Sequence, residues 1–281
     1  MDSSGSRLIQ RLLADAVREQ SDEPWLNRFP WGDPGFARRF AQMTDERSQL
    51  WGPPEPDVNR LMDIWKTSHP GDREPGQVPS VLDLTCGAGR HSIALAWLGC
   101  DVVGVDIGEY AIARAREKSA LETLPGSAEF VVADLVEYEP PSSFNVVIML
   151  AEQCVNFPPK ELSSILRRFV GCLRPGGMMV LELPGDFPDE DVVYYEPGGG
   201  RPNLWSDWPY WELHLTRVDE TERLVTDYFA CYTEVDDAVR AWTNWRLYYT
   251  ADQVAELLPA GATLRAHEQR NRRDWCIITR Q

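Results

Sequence analysis

The 281-residue chain is short of positive charge, of histidine and of long apolar runs. It holds 28 Lys and Arg against 44 Asp and Glu, so its formal net charge at pH 7 is −16. Such a surface repels phosphate backbones and anionic lipid, and a nucleic-acid partner would need a local basic patch. A small cluster, Arg270, Arg272 and Arg273, is the nearest feature to one. The composition therefore predicts neither a nucleic-acid partner nor a membrane partner.

Two further absences narrow the class of protein. The first twenty residues lack the apolar stretch of a signal peptide, and runs such as "VVIML" are too short to cross a bilayer. The six cysteines form no C-x-x-C pair, which argues against a disulfide framework and a zinc site. We therefore expect a cytoplasmic protein that holds no metal.

Patterning divides the chain into four segments. Residues 1–79 combine an amphipathic helix with an aromatic- and proline-rich stretch, and predict a helical cap or lid. Residues 80–184 predict the α/β core, and residues 185–249 an antiparallel β insertion that serves as a lid or a dimer surface. Residues 250–281 predict a helix and a hairpin that complete the core sheet. The oligomeric state expected is a monomer or a homodimer.

The core segment alternates short apolar strands with helices, which is typical of a parallel sheet covered on both faces. We predict an α/β fold with a doubly wound, mainly parallel, seven-stranded Rossmann-like sheet. In the insertion, Trp211, Leu213 and Leu215 alternate with polar residues, and three antiparallel strands are expected there. Thr250 and Gln253 stand at the spacing of a capping box and predict the start of a helix.

A glycine-rich turn follows the first apolar strand. Gly87 and Gly89 let the backbone approach a ligand closely, but Ser92 stands where a dinucleotide fingerprint has its third glycine. By itself the turn is a weak signal for NAD, and a tight structural turn is the alternative.

Three carboxylates accompany that turn. Asp83 lies within the first strand, Asp106 at the end of the second and Asp134 at the end of the third. An acid at the second strand end can accept hydrogen bonds from ribose hydroxyls. Three carboxylates suit a ligand that joins a cationic amino group, a ribose and an adenine, and they do not suit a pyrophosphate.

The stretches "VLDLTCGAGRH", "VVGVDIG", "VVADL" and "LRPGGMMVLE" resemble the motifs of class I S-adenosylmethionine-dependent methyltransferases. The likeness is to the branch that methylates small molecules and carries an antiparallel insertion after the fifth strand. Gly108 and Asn145 depart from the usual family pattern. The resemblance implies that Asp83, Gly87 and Gly89 hold the methionine end, Asp106 the ribose, and Ile107 and Asp134 the adenine. The full set of cofactor-binding candidates is Asp83, Cys86, Gly87, Gly89, Arg90, His91, Asp106, Ile107, Asp134, Leu135 and Leu150.

The acceptor side is less defined by the sequence. The catalytic candidates are Glu152, Gln153, His214 and Tyr249, and the substrate-binding candidates are Trp31, Asn156, Tyr248, Arg272 and Arg273. Each has a structural alternative: the segment after strand four can simply end a strand and cap a helix, His214 can lie on a solvated strand face, and the tyrosines can fill the core. For Arg272 and Arg273 the hypothesis is recognition of a carboxylate or phosphate on the substrate.

The function predicted is an S-adenosyl-L-methionine-dependent methyltransferase of the EC 2.1.1 type, with a small-molecule acceptor. Oxygen and nitrogen are the favoured acceptor atoms, and carbon is the third alternative. The competing hypothesis is a methyltransferase-like protein that binds the cofactor but catalyses a non-methylating reaction or acts in regulation.

Overall fold

The computed structural model describes residues 3–21, 30–31, 33–46, 54–68, 77–188, 190–196, 204–270 and 273–280 of the chain. Two compact units emerge. The core unit comprises Arg47–Asp186 and Tyr249–Gln281, and the sheet unit comprises Met1–Glu46 and Phe187–Tyr248.

Eleven strands lie within the described residues. They are β1 Ser80–Leu84, β2 Asp101–Asp106, β3 Ser127–Val132, β4 Phe144–Met149, β5 Leu173–Pro184, β6 Val192–Glu196, β7 Tyr210–Asp219, β8 Leu224–Thr233, β9 Ala238–Leu247, β10 Ala262–Arg270 and β11 Arg273–Arg280.

Seven α-helices and one 3₁₀ turn are found in the same part of the chain. They are α1 Ser3–Ser21, α2 Pro34–Glu46, α3 Glu55–Ser68, α4 Arg90–Trp97, α5 Glu109–Ala120, the 3₁₀ turn Gln153–Asn156, α6 Pro159–Gly171 and α7 Ala251–Leu257. No described helix is both long enough and apolar enough to span a membrane.

The core unit is built on a seven-stranded sheet in the order β10-β11-β5-β4-β1-β2-β3. Strands β1 to β5 pair in parallel, whereas β11 runs antiparallel to β5 and pairs with β10 as a hairpin. The predicted mainly parallel, seven-stranded sheet is confirmed. Because the chain order reverses between β1 and β4, the carboxyl ends of these two strands form the crevice where such sheets bind ligands.

One face of the core sheet is covered by α3 and α4. Leu61 and Trp65 of α3 and Leu95 of α4 pack against strand residues such as Val81 and Val146. The helix α3 therefore groups with the core unit, whereas the sequence placed it in the cap of residues 1–79. That the N-terminal segment or the insertion acts as a lid stays a prediction.

The sheet unit contains a four-stranded antiparallel sheet in the order β6-β7-β8-β9. The sequence predicted three strands, and β6 was missed because it follows acidic residues and precedes "PGGGRP" without a long alternating pattern. The helix α1 buries Ile9, Leu13 and Val17 against one face of this sheet. Leu8 and Leu12, which share the helical spacing, are 58% and 41% exposed and lie outside that contact.

Candidate active site

The turn after β1 has the conformation that its two glycines allow. Gly87 and Gly89 have φ values of 55° and 78°, and Gly89 also begins α4 as its N-cap. A Cβ on Gly89 would lie 2.9 Å from the Phe130 ring, so no larger residue fits there without movement. A Cβ on Gly87 would meet nothing within 4 Å, so the turn is open on that side and can be approached by a ligand.

Asp106 at the carboxyl end of β2 is tied to this turn. Its Oδ2 accepts the backbone N–H of Gly87 at 2.9 Å, and its Oδ1 accepts that of Gly108 at 2.8 Å. Burial raises the pKa of this carboxyl, and the two amide hydrogen bonds act in the opposite direction. A carboxylate offers roughly four lone-pair positions. Each oxygen of Asp106 therefore keeps one for a ligand hydroxyl, which fits a pair of ribose hydroxyls.

Asp83 lies within β1, a few residues before the turn. It is 2% exposed, and its Oδ2 accepts a hydrogen bond from Ser92 Oγ of α4 at 2.6 Å. Burial raises the pKa of Asp83 to about 6, against the opposing effects of His91 and Ser92. A buried acid with this pKa carries charge only at a cost, which a cationic ligand group nearby would offset.

The remaining cofactor candidates divide by exposure. Ile107 is 58% exposed and Asp134 is exposed, with its Oδ1 fixed by the Val136 N–H at 2.8 Å. Leu135 and Leu150 are buried at the ends of their strands. The structure thus places one apolar and one carboxylate side chain in the open at adjacent strand ends, and their contact with adenine stays a prediction.

Two more candidates lie close to the turn. Cys86 is half-buried, and burial raises the pKa of its thiol, which therefore stays protonated. His91 is 8% exposed, and its Nε2 lies 3.2 Å from Arg90 Nη2 and 3.6 Å from Asp57 Oδ2. His91 is thus held between charged groups of the chain itself.

Asp57 of α3 and Glu182 of β5 extend this set into a charged cluster that the sequence analysis did not predict. Glu182 is fully buried and accepts Trp275 Nε1 at 3.0 Å. Arg273 places its Nη1 3.4 Å from Glu182 Oε1 and 4.0 Å from Asp57 Oδ2. Burial opposes ionisation of Asp57, but its hydrogen bond with His91 and the charges of His91 and Arg273 hold its pKa below the usual range.

The structure describes the contacts of only one of the two arginines proposed to bind substrate. The guanidinium of Arg273 faces carboxylates of its own chain, while Arg272 lies outside the described residues. Recognition of a substrate carboxylate or phosphate by these arginines stays a prediction.

The segment after β4 has a strained backbone at the predicted acceptor side. Ala151 and Glu152 have φ values of 57° and 60°, in the left-handed region that residues other than glycine seldom adopt. Gln153 Nε2 donates to Ala151 O at 2.9 Å, and Asn156 Nδ2 donates to Gln153 O at 3.3 Å. Both amides therefore stabilise the 3₁₀ turn, whereas Glu152 stands at the strained position where the strand ends. Strain of this kind persists where surrounding structure fixes it, often at functional sites.

Tyr249 is buried, and its hydroxyl donates to Phe157 O at 2.7 Å. Burial also raises the pKa of this phenol, which makes proton transfer from it more difficult. The contact joins the start of α7 to the segment after β4. In the structure, the tyrosine acts as an anchor of that segment.

Three candidates belong to the sheet unit. His214 Nε2 lies 2.9 Å from Asp227 Oδ1, Tyr248 is buried, and its hydroxyl accepts Arg246 Nη1 at 3.1 Å. Trp31 is 41% exposed and packs edge-on against Phe36. The structure thus brings Asp83, the glycine turn and Asp106 together in the core unit, and gives His214 a carboxylate partner that the sequence analysis missed.

Comparison with known protein families finds a match for the central part of the chain. Residues 81–177, which contain the glycine turn and the carboxylates Asp83, Asp106 and Asp134, match the family described as "Methyltransferase domain". Residues 81–177 are a methyltransferase domain. The predicted family, class I S-adenosylmethionine-dependent methyltransferases, and its cofactor are confirmed for this domain.

Relatives support the same assignment over part of their length. The chain is 34% identical over 168 residues to carboxy-S-adenosyl-L-methionine synthase of Geobacter metallireducens, covering 54% of this chain and 64% of the relative. It is 33% identical over 101 residues to ubiquinone biosynthesis O-methyltransferase of Pseudomonas aeruginosa, covering 36% of this chain and 42% of the relative. The chain thus covers less than two thirds of the length of each of these relatives.

A solved structure supports the fold over more of the chain. An S-adenosylmethionine-dependent methyltransferase from Clostridium acetobutylicum superimposes with a TM-score of 0.62 over 86% of this chain and 98% of that one. The sequences are 11% identical, so this likeness concerns the fold alone.

Proposed function

We propose that this chain is an S-adenosylmethionine-dependent methyltransferase that transfers a methyl group to an oxygen or nitrogen of a small molecule. The observation that carries the proposal is the position of Asp106. Its two oxygens are held by the amides of Gly87 and Gly108, and each keeps a lone pair for a ribose hydroxyl. The methyltransferase-domain match over the same residues supports this assignment.

The residues of the core unit fit the cofactor in both shape and charge. Gly87 leaves open space on one side of the turn, where the methionine end would lie. The carboxylate of Asp83 favours its cationic groups, and Ile107 and Asp134 offer an apolar surface and an acceptor for adenine. When bound, the cofactor supplies a methyl group on a positively charged sulfur, which is already activated for displacement.

The chain's own residues then have two tasks, to align the acceptor and to exclude water. Glu152 is the acceptor-side candidate that we favour, because it lies at the end of β4 in the left-handed backbone conformation that often marks functional sites. A general base is required only where the acceptor atom carries a proton at the working pH. The relative named for O-methylation in ubiquinone biosynthesis supports a small-molecule acceptor.

The Asp106→Asn variant tests the proposal. Losing the charge of Asp106 weakens hydrogen bonds to both ribose hydroxyls, and we expect the dissociation constant for S-adenosylmethionine to rise about 10- to 100-fold. Isothermal titration calorimetry measures the constant directly.

Asp101→Asn is the matched control, because Asp101 lies on the same strand at its opposite end and accepts Ser127 Oγ at 2.7 Å. The affinity of D101N for S-adenosylmethionine should equal that of the unaltered protein. Equal affinities for D106N and the unaltered protein would refute the cofactor site.

One observation favours a second candidate function, a reaction in which the cofactor itself is modified. The relative from Geobacter metallireducens is named for the synthesis of carboxy-S-adenosyl-L-methionine. The alternative of a non-methylating reaction therefore has a specific counterpart among similar proteins.

Labelled cofactor separates the two candidates. With S-adenosylmethionine labelled in its methyl group, a methyltransferase releases unlabelled S-adenosylhomocysteine and places the label on the acceptor. A cofactor-modifying enzyme keeps the label on sulfur and produces a heavier cofactor, which mass spectrometry resolves. Retention of the label on sulfur with every acceptor mixture would exclude methyl transfer.

A further inference from the structure

A polar cluster occupies one face of the four-stranded antiparallel sheet in the sheet unit. It consists of His214 and Thr216 on β7, Asp227 on β8, and Asn244 and Arg246 on β9. The register pairs Thr216 with Asp227 and Asp227 with Asn244, so these side chains share a face. The helix α1 packs its apolar residues on the opposite face. The cluster is therefore not part of the apolar core of this unit.

Asp227 is the centre of the cluster. It is 4% exposed, and it accepts hydrogen bonds from His214 Nε2 at 2.9 Å, Thr216 Oγ1 at 2.8 Å and Arg246 Nη2 at 2.8 Å. Burial alone would raise the pKa of Asp227, but His214, Arg246 and Thr216 hold it below the usual range. A buried ion pair contributes little net stability compared with apolar residues of the same volume. Stability alone therefore does not account for this network.

Two buried atoms of the cluster have no hydrogen-bond partner in the part of the chain that the structure describes. They are Oδ1 of Asn244, an acceptor, and Nε of Arg246, a donor. The other nitrogens of Arg246 are engaged with Asp227 and with the hydroxyl of Tyr248. Because buried polar groups in folded proteins are nearly always satisfied, an unpaired donor and an unpaired acceptor two residues apart on one face indicate a place for a ligand.

His214 supplies a third contact point. A carboxylate only accepts, so Nε2, the nitrogen that faces Asp227, carries a proton, and Nδ1 is the ring nitrogen left for another partner. The ring lies nearly parallel to Phe229, with centroids 4.2 Å apart, and the side chain is 29% exposed. The imidazole is thus fixed in orientation by both a hydrogen bond and a ring contact, while part of it stays accessible.

The geometry points to a binding site on this face for a neutral small molecule that presents hydroxyl groups. The charges of Asp227 and Arg246 cancel within the cluster, so an anion gains no free cation there. A cationic group would be opposed by Arg246. A hydroxyl both donates and accepts, so it can pair with the acceptor Asn244 Oδ1, with the donor Arg246 Nε and with His214 Nδ1.

This inference goes beyond the proposed methyl transfer and depends on no residue of the cofactor site. It also predicts how replacing Asn244 changes the stability of the ligand-free protein. An unpaired buried acceptor destabilises the free protein, so replacing it by an apolar side chain of similar size should be neutral or stabilising. If the cluster binds a ligand, that same replacement should weaken binding.

The experiment uses one sugar ring in three charge states: glucose, glucosamine and glucose 6-phosphate. Saturation-transfer NMR measures binding of each to the full chain and to the variants Asn244→Leu and Arg246→Gln. Arg217→Gln is the matched control, because Arg217 lies on β7 on the opposite face and pairs with exposed Asp191. Thermal unfolding is recorded for every variant.

We expect transfer to glucose in preference to its charged analogues, and a rise of about tenfold in the dissociation constant for N244L and R246Q. R217Q should bind glucose like the unaltered protein, and the unfolding temperature of N244L should be equal or higher. The inference is overturned if glucose shows no transfer, if glucose 6-phosphate or glucosamine binds better, or if N244L binds as tightly as the unaltered protein. Because affinity for S-adenosylmethionine is measured on D106N, either claim can fail without the other.

Discussion

Asp83 shows how one buried residue couples stability to charge. The carboxyl is 2% exposed, and within the described part of the chain it accepts one hydrogen bond, from Ser92 Oγ. Burial raises its pKa in the folded protein to about 6, above the ordinary value of 3.8. The folded state therefore binds a proton more tightly than the unfolded state, and stability falls as pH rises between these two values. The ionised form persists at neutral pH at the expense of stability.

The Asp83→Asn variant tests how much stability the ionised Asp83 carboxylate costs. The difference between the two pKa values corresponds to about 3 kcal/mol, fully present above pH 6 and absent below pH 4. We expect D83N to gain stability over the unaltered protein as pH rises through this window, measured by urea unfolding at several pH values.

His91 and Arg90 lie next to Asp83, so the control for that measurement is His91→Gln in the same pH series. A pH-independent difference between D83N and the unaltered protein would show that Asp83 is not the titrating group. Because the charge of His91 opposes the rise in the pKa of Asp83, H91Q should keep the loss of stability with rising pH and enlarge it. Disappearance of the pH dependence in H91Q would assign it to His91.

Residues at strand ends could be predicted, and residues that meet through sheet register could not. Asp106 and Asp134 follow apolar strands directly, so parallel pairing alone brings them to one edge. Asp227 lies inside a strand, 13 residues from His214 and 19 from Arg246. Their meeting depends on the pairing of β7, β8 and β9, and no local pattern in the sequence specifies that register.

At the scale of elements, the helix start at Thr250 was correctly predicted because its signal is local. Thr250 Oγ1 accepts the Gln253 N–H at 3.2 Å, and Gln253 Oε1 accepts the Thr250 N–H at 2.9 Å. Both residues lie within one turn of the chain. The strand β6 was missed for the converse reason, since its five residues become a strand only by pairing with β7.

Removal of the capping hydroxyl should weaken α7, which has only seven residues. We expect Thr250→Ala to destabilise the protein by about 1 kcal/mol, because the Gln253 N–H loses its partner. Hydrogen exchange of the α7 amides should accelerate correspondingly. Thr250→Ser keeps the hydroxyl and should exchange like the unaltered protein, and equal exchange in T250A and T250S would contradict a stabilising cap.

At the scale of the whole molecule, the charge of −16 is a property that no single residue carries. Like charges in excess repel one another and oppose the compact state. They also repel a polyanion, which is consistent with a small-molecule acceptor for the proposed transferase. Among the residues that the structure describes, few salt bridges include a buried partner, so added salt screens this excess more than it weakens specific pairs.

Salt should therefore stabilise the protein at a pH well above its pI of about 4.7. We expect the unfolding temperature at pH 8 to rise by a few degrees when NaCl increases from about 20 to about 300 mM, since the Debye length falls below 10 Å in that range. Scanning calorimetry at both salt concentrations measures the change. At a pH near the pI the net repulsion vanishes, so the same increase in salt should have no stabilising effect. A fall in unfolding temperature with salt at pH 8 would mean that attractive ion pairs, such as Arg38 with Asp207, outweigh the excess of negative charge.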